Sequence, residues 1–169
     1  MMTTPGTGDL PLPRWAYVPG ASGKTGADYE TLAQVTALVP PRFGGYVPAR
    51  HPALRYGIML NDRGYYWEAQ EILQAVWAAA PQGGRERILL RACILITTAN
   101  LRLRMQKAHV ATRLLGEALV ELNALGERGA AGDGFADCFP AAALAAVIKA
   151  KLEQPELAKT DGVAFAAAG

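Results

Sequence analysis

The densest group of reactive side chains is Tyr65-Tyr66-Trp67-Glu68-Ala69-Gln70-Glu71, with Trp77 beyond it. Two carboxylates three positions apart on a helix can serve acid–base or metal chemistry. The same pair, at a helix start, also opposes the positive end of the helix dipole. Tyr66, Trp67 and Trp77 then become packing or interface aromatics. A second group is basic. Arg85, Arg87, Arg91, Arg102, Arg104, Lys107 and Arg113 fall within one stretch, opposed there by Glu86 alone. Arg91 and Arg102 share one helical stripe. If that stripe faces the carboxylates, then Glu68, Gln70, Glu71, Arg91 and Arg102 make a candidate polar site.

Other chemistry has weaker support. Gly23-Lys24-Thr25 has the last residues of a phosphate loop, but the required earlier glycine is Val18, and no strand precedes it. His51 and His109 each lack a His, Cys or carboxylate three or four residues on, so no metal is expected. Ser22 is the sole serine, in a Gly- and Pro-rich stretch, which argues against serine hydrolase chemistry. No cofactor is expected.

Composition narrows the class. The chain has 169 residues, 51% of them hydrophobic and 8% aromatic. Ala and Leu dominate that apolar share, and they favour helices over strands. The net charge is +2, which by itself points to neither a nucleic-acid nor a membrane partner. Two cysteines, Cys93 and Cys138, cannot build a disulfide framework or a four-cysteine zinc site. Met1 to Arg14 lacks the apolar segment of a secretory signal. The longest apolar runs fall well short of the roughly 20 residues of a membrane span. The expected location is the cytoplasm.

These side chains need helices to position them. Residues 1–49 read as an irregular arm, with a short helix expected at 28–39 and ended by Pro40-Pro41. Residues 50–153 read as the bundle domain, and 154–169 as a flexible tail. Pro52 suits a first helical position. A helix over 53–60 should stop at Asn61-Asp62-Arg63-Gly64, with Gly64 in the left-handed region. Ala69, Ile72, Leu73, Val76 and Ala80 repeat at helical spacing over 65–80. The 85–105 stretch is too long for a typical strand, so its apolar run reads as a buried helix. Arg87, Arg91, Thr98 and Arg102 form its polar stripe, which Leu95 interrupts. A wide apolar face marks 108–125. Gly126 to Gly134 is a Gly-rich loop, and an Ala-rich helix spans 139–152. Ala69, Ile72, Leu73 and Val76 echo Ala111, Leu114, Leu115 and Ala118 at a fixed offset. That echo suggests two stacked helical hairpins. The expected fold is all-α, a compact bundle of four to five helices built from two antiparallel hairpins.

Gly64-Tyr65-Tyr66-Trp67-Glu68-Ala69-Gln70-Glu71 followed by Trp77 resembles the signature of the domain-of-unknown-function family 309. That signature runs Gly, aromatic, spacer, Glu-Ala-His-Glu and a downstream Trp. Trp15-Ala16-Tyr17-Val18-Pro19-Gly20 is similar to an N-terminal segment of some members. The resemblance implies a small helical bundle without an established activity. By position, Glu68, Glu71 and Trp77 match the signature, and Gln70 replaces its histidine. Leu95 stands where many members carry Gln, and Arg102 where they carry Lys or His. An amide cannot shuttle a proton near pH 7 as imidazole does, but it both donates and accepts hydrogen bonds. The resulting expectation is a non-catalytic helical module for protein–protein or self-association, with a homo-oligomer or an unidentified protein as partner. The alternative is a small-molecule or anion site between the 65–80 and 85–105 helices, including a degenerate enzyme or metal site. A further alternative is nucleic-acid binding through the basic run.

Overall fold

In a computed structural model, the described residues are 10–21, 26–125, 134–154, 156 and 162–166. Gly23-Lys24-Thr25, Ser22 and most of the 126–134 loop lie outside them.

Among the described residues seven helices follow one another: α1 (Tyr29–Thr36), α2 (Pro52–Asp62), α3 (Tyr66–Ala79), α4 (Arg85–Arg104), α5 (Ala108–Ala124), α6 (Phe135–Cys138) and α7 (Ala141–Leu152). Among the described residues the β structure is a single isolated bridge, Pro48 with Gly134.

The local causes are readable. Asp28 caps α1 by accepting from the Thr31 N–H, and Thr31 Oγ1 donates to it at 2.8 Å. The helix ends at Thr36, short of Pro40, because the last residues before the prolines turn instead. Pro52 opens α2, and the His51 ring nitrogen accepts from the Ala53 N–H at 3.2 Å. Burial keeps that imidazole neutral by pushing its pKa down, as a cap acceptor requires. Asn61 and Asp62 were expected to stop α2, yet it continues through Asp62. Their side chains are held by partners from elsewhere in the chain, which removes the usual competition with the helix backbone. Gly64 then takes the left-handed conformation at φ 89°.

Short connections make α2–α3 and α4–α5 antiparallel hairpins, and α3 packs on α4 to join them. The echoed residues are buried alike. Ala69, Ile72, Leu73 and Val76 on α3 are buried, as are Ala111, Leu114, Leu115 and Ala118 on α5. α7 covers α5 with Leu144 and Ile148, while α1 packs on α2 and α3. The expected 139–152 helix is α7, which begins just after Pro140, and the short α6 precedes it.

The two flanking segments behave differently from their composition. The arm is packed: Val35 and Val47 are fully buried, and the Tyr56 hydroxyl donates to the Pro11 carbonyl at 2.6 Å. Arg14 grips Asp28 through Nε at 3.0 Å and Nη2 at 2.9 Å. Within the stretch expected to be a flexible tail, residues 162–166 dock on the bundle, burying Val163 and Phe165. Asn100 Nδ2 donates to Asn61 Oδ1 at 2.8 Å and to the Val163 carbonyl at 2.9 Å. Asn100 Oδ1 accepts from the Val163 N–H at 2.7 Å, and Asn61 Nδ2 donates to the same carbonyl at 3.0 Å. Asp62 accepts from the Phe165 and Ala166 N–H groups at 2.7 and 2.9 Å. Two asparagines thus replace the missing strand partner of one extended residue.

Candidate functional site

Glu68 sits in the first turn of α3 and is fully buried. Its position four residues before Ile72 puts it on the core side of the helix. Oε2 accepts from the Tyr17 N–H at 2.8 Å, while Oε1 is buried without a hydrogen-bond partner among the described residues. Burial raises the carboxyl pKa; the Tyr17 amide and the charge of Arg104 pull the other way. The Tyr17 ring meets the Trp67 ring edge-on at 5.2 Å, and Tyr29 meets it at 5.7 Å. The arm therefore closes directly over the first turn of α3.

The candidate polar site does not assemble. Arg91 reaches across to α5, with Nε 3.4 Å from Glu121. Arg102 is half-buried and sends Nη1 to the Met105 sulfur at 3.5 Å. Glu71 is half-buried, and burial raises its carboxyl pKa. Gln70 is half-buried beside it. Among the described residues, no ion pair joins Glu68 or Glu71 to Arg91 or Arg102. Arg91, at the edge of the α3–α4 groove, is drawn to Glu121 on α5 instead. Nor do the described residues bring together three or more His, Cys, Asp or Glu that could hold a metal ion.

The aromatics divide. Tyr66 lies under the Arg104 guanidinium, 4.3 Å from its ring, and against the docked segment at Gly162. Arg104 also donates to the Gly64 carbonyl. Trp67 is covered by the arm. Trp77 lines an open groove, with Gln74, Ala78, Arg91, Ile94 and Leu95, about 320 Å³ in volume. Leu95, which interrupts the polar stripe, supplies the apolar wall opposite Trp77. Arg87 lies over the Trp77 ring at 4.1 Å.

The basic run is largely engaged by partners within the chain. Arg85 pairs with Asp137, Arg91 with Glu121 and Arg113 with Glu117. Two more guanidiniums lie on aromatic rings, those of Arg87 and Arg104. Cys93 is buried on α4, and burial pushes its thiol far up, leaving it a core residue rather than a nucleophile.

Residues 54–114 match the family model described as a domain of unknown function (DUF309). This stretch of the bundle is similar to that family. It runs from the first turn of α2 into the middle of α5, and so contains the Gly64–Glu71 cluster and Trp77. Tyr17, Tyr29 and Val163, which pack against the matched helices, all come from outside the matched residues. No curated protein and no solved structure matches the chain. No helix among the described residues is long and apolar enough to cross a membrane.

Two features were missed in the sequence. Asn61 reads as part of a helix stop, but together with Asn100 it holds the 162–166 segment. Glu68 as a core residue was more accessible, since its spacing to Ile72 and Val76 already places it on the apolar face.

Proposed function

We propose that the chain is a non-catalytic helical module that holds an amphipathic helix of another protein in the groove between α3 and α4. The observation that carries this reading is the fate of the three aromatics. Tyr66 and Trp67 are consumed by the chain's own ends, while Trp77 faces a groove with Ile94 and Leu95. Helices that dock in grooves present apolar residues three and four apart, and this groove has the apolar walls to receive them. Arg91 lines the same groove, and Arg87 lies against Trp77, so acidic residues beside the apolar stripe complement it. The burial of Glu68 supports the non-catalytic part. A carboxylate closed beneath the arm and holding a backbone amide is engaged in folding rather than turnover.

The test is selection of a helical-peptide display library against the purified chain. Peptides with paired apolar residues and neighbouring Asp or Glu should be enriched. Leu95→Glu should weaken their binding tenfold or more, a cost of about 1.4 kcal/mol. Enriched peptides that bind Leu95→Glu as tightly as the wild type would overturn the reading. So would a failure to enrich any peptide from a chain that sediments as a monomer.

A further inference from the structure

At the far end of α3 lies a second concavity, about 430 Å³, lined by Arg42, Phe43, residues 78–82 and Arg87. Its volume is in the range of small-molecule sites. Arg42 and Arg87 come from different parts of the chain. The Arg87 guanidinium lies over the Trp77 ring, 4.1 Å from its centroid. Arg42 is fixed through its neighbour: the Phe43 N–H donates to the Ala79 carbonyl at 2.9 Å, and the Phe43 ring meets His51 edge-on at 5.1 Å. Among the described residues neither arginine has an ion-pair partner, and no carboxylate lines the cavity.

A helix C-terminus ordinarily repels anions, and two cations there can simply offset its dipole. Here the Ala79 carbonyl is taken up by Phe43 and the Trp77 carbonyl by Ala80, so part of that negative field is already satisfied. Two guanidinium forks without carboxylates then face one cavity whose walls include Phe43, Pro81 and alanines. Guanidinium planes match oxyanions through paired N–H donors, and a stacked plane is pre-organised to do so. We propose that Arg42 and Arg87 bind a small dianion, a phosphate monoester or a dicarboxylate, with its carbon body against Phe43 and Pro81. This site adjoins the α3–α4 groove, with which it shares Ala78, and does not depend on a protein partner there.

Isothermal titration of the full chain, at constant ionic strength, tests the site with phenyl phosphate, inorganic phosphate and succinate. Phenol serves as the uncharged control. At least one dianion should bind at one saturable site, and phenol should not. Preference for the phosphates or for succinate names the source of the charge. Arg42→Gln and Arg87→Gln should each weaken binding about tenfold, and the double variant about a hundredfold, as loss of charge-assisted hydrogen bonds predicts. Arg87→Lys keeps the charge but loses the fork and should also bind more weakly. Arg113→Gln, remote from the cavity, should bind as the wild type does. Circular dichroism of each variant confirms the fold. Absence of saturable binding by all three dianions would overturn the proposal, as would undiminished binding by the double variant. If the double variant merely lowers the melting temperature of a protein that binds none of the probes, the arginines only offset the α3 dipole and the proposal fails.

Discussion

Asn100→Ala removes the side chain that faces Val163 from both sides. It deletes three hydrogen bonds: two to the Val163 backbone at 2.7 and 2.9 Å, and one to Asn61 at 2.8 Å. The Val163 carbonyl keeps Asn61 Nδ2 at 3.0 Å, so two polar atoms lose their partners, the Val163 N–H and Asn61 Oδ1. Each buried orphan costs about 1–3 kcal/mol, which gives about 2–6 kcal/mol for a rigid structure. Release of residues 162–166 limits that loss. Undocking gives up the burial of Val163 and Phe165, about 1.5–3 kcal/mol each, but returns about 1–2 kcal/mol of backbone entropy per residue. The segment's net hold is therefore modest, and the expected loss is about 2–3 kcal/mol with the segment released. For a chain of this size that is about 4–12 °C in melting temperature. Urea and thermal unfolding measure it, and hydrogen exchange at the Val163 amide reports the release. The decisive arm repeats Asn100→Ala in a chain ending at Gln154. With no Val163 to orphan, the same substitution should cost less than about 1 kcal/mol, a clear departure from additivity. Equal losses in the two backgrounds would refute the reasoning, because they would place the effect of Asn100 within α4 itself.

Two further outcomes follow from the same packing. Glu68 has a raised pKa in the folded chain, so its contribution is fully present below the ordinary carboxyl value of 4.5 and is lost as pH rises through the folded value. Glu68→Gln, read by melting temperature between pH 4 and 8, should therefore gain on the wild type as pH rises; a constant difference across the range would contradict the buried-acid account. A Cβ on Gly162 would overlap the Tyr66 hydroxyl and press on Asn100. Gly162→Ala should release the docked segment at a cost of about 1–3 kcal/mol, by the overpacking rule. Adding Tyr66→Phe should restore part of that loss in the same melts, and no rescue would show that the clash lies elsewhere.

The helices of the bundle were legible because their cause is local. Periodic apolar residues, Pro52 and Gly64 each act within a turn or two of chain. The likeness of Ala69–Val76 to Ala111–Ala118 was visible for the same reason. The candidate site was only partly legible, since pairing between helices depends on rotation about each axis. Arg91 had two helices to choose from, and the sequence does not say that Glu121 wins over Glu71. The flanking segments were least legible. Pro and Gly in the arm indicate absence of regular structure, and they are silent on whether irregular chain is packed. Arg14 with Asp28 is a pair 14 residues apart, and Asn61 with Val163 spans 102. Neither separation leaves a periodic trace.

That last separation also orders events in time. Asn100 is synthesised 63 residues before the backbone group it serves. At about 5–20 residues per second, translation leaves the asparagine pair without Val163 for about 3–13 s, long after helices and their hairpins can form. Throughout that interval the nascent bundle presents a polar notch on an otherwise apolar seam, open to water or to a chaperone. Arrival of residues 162–166 is what seals it.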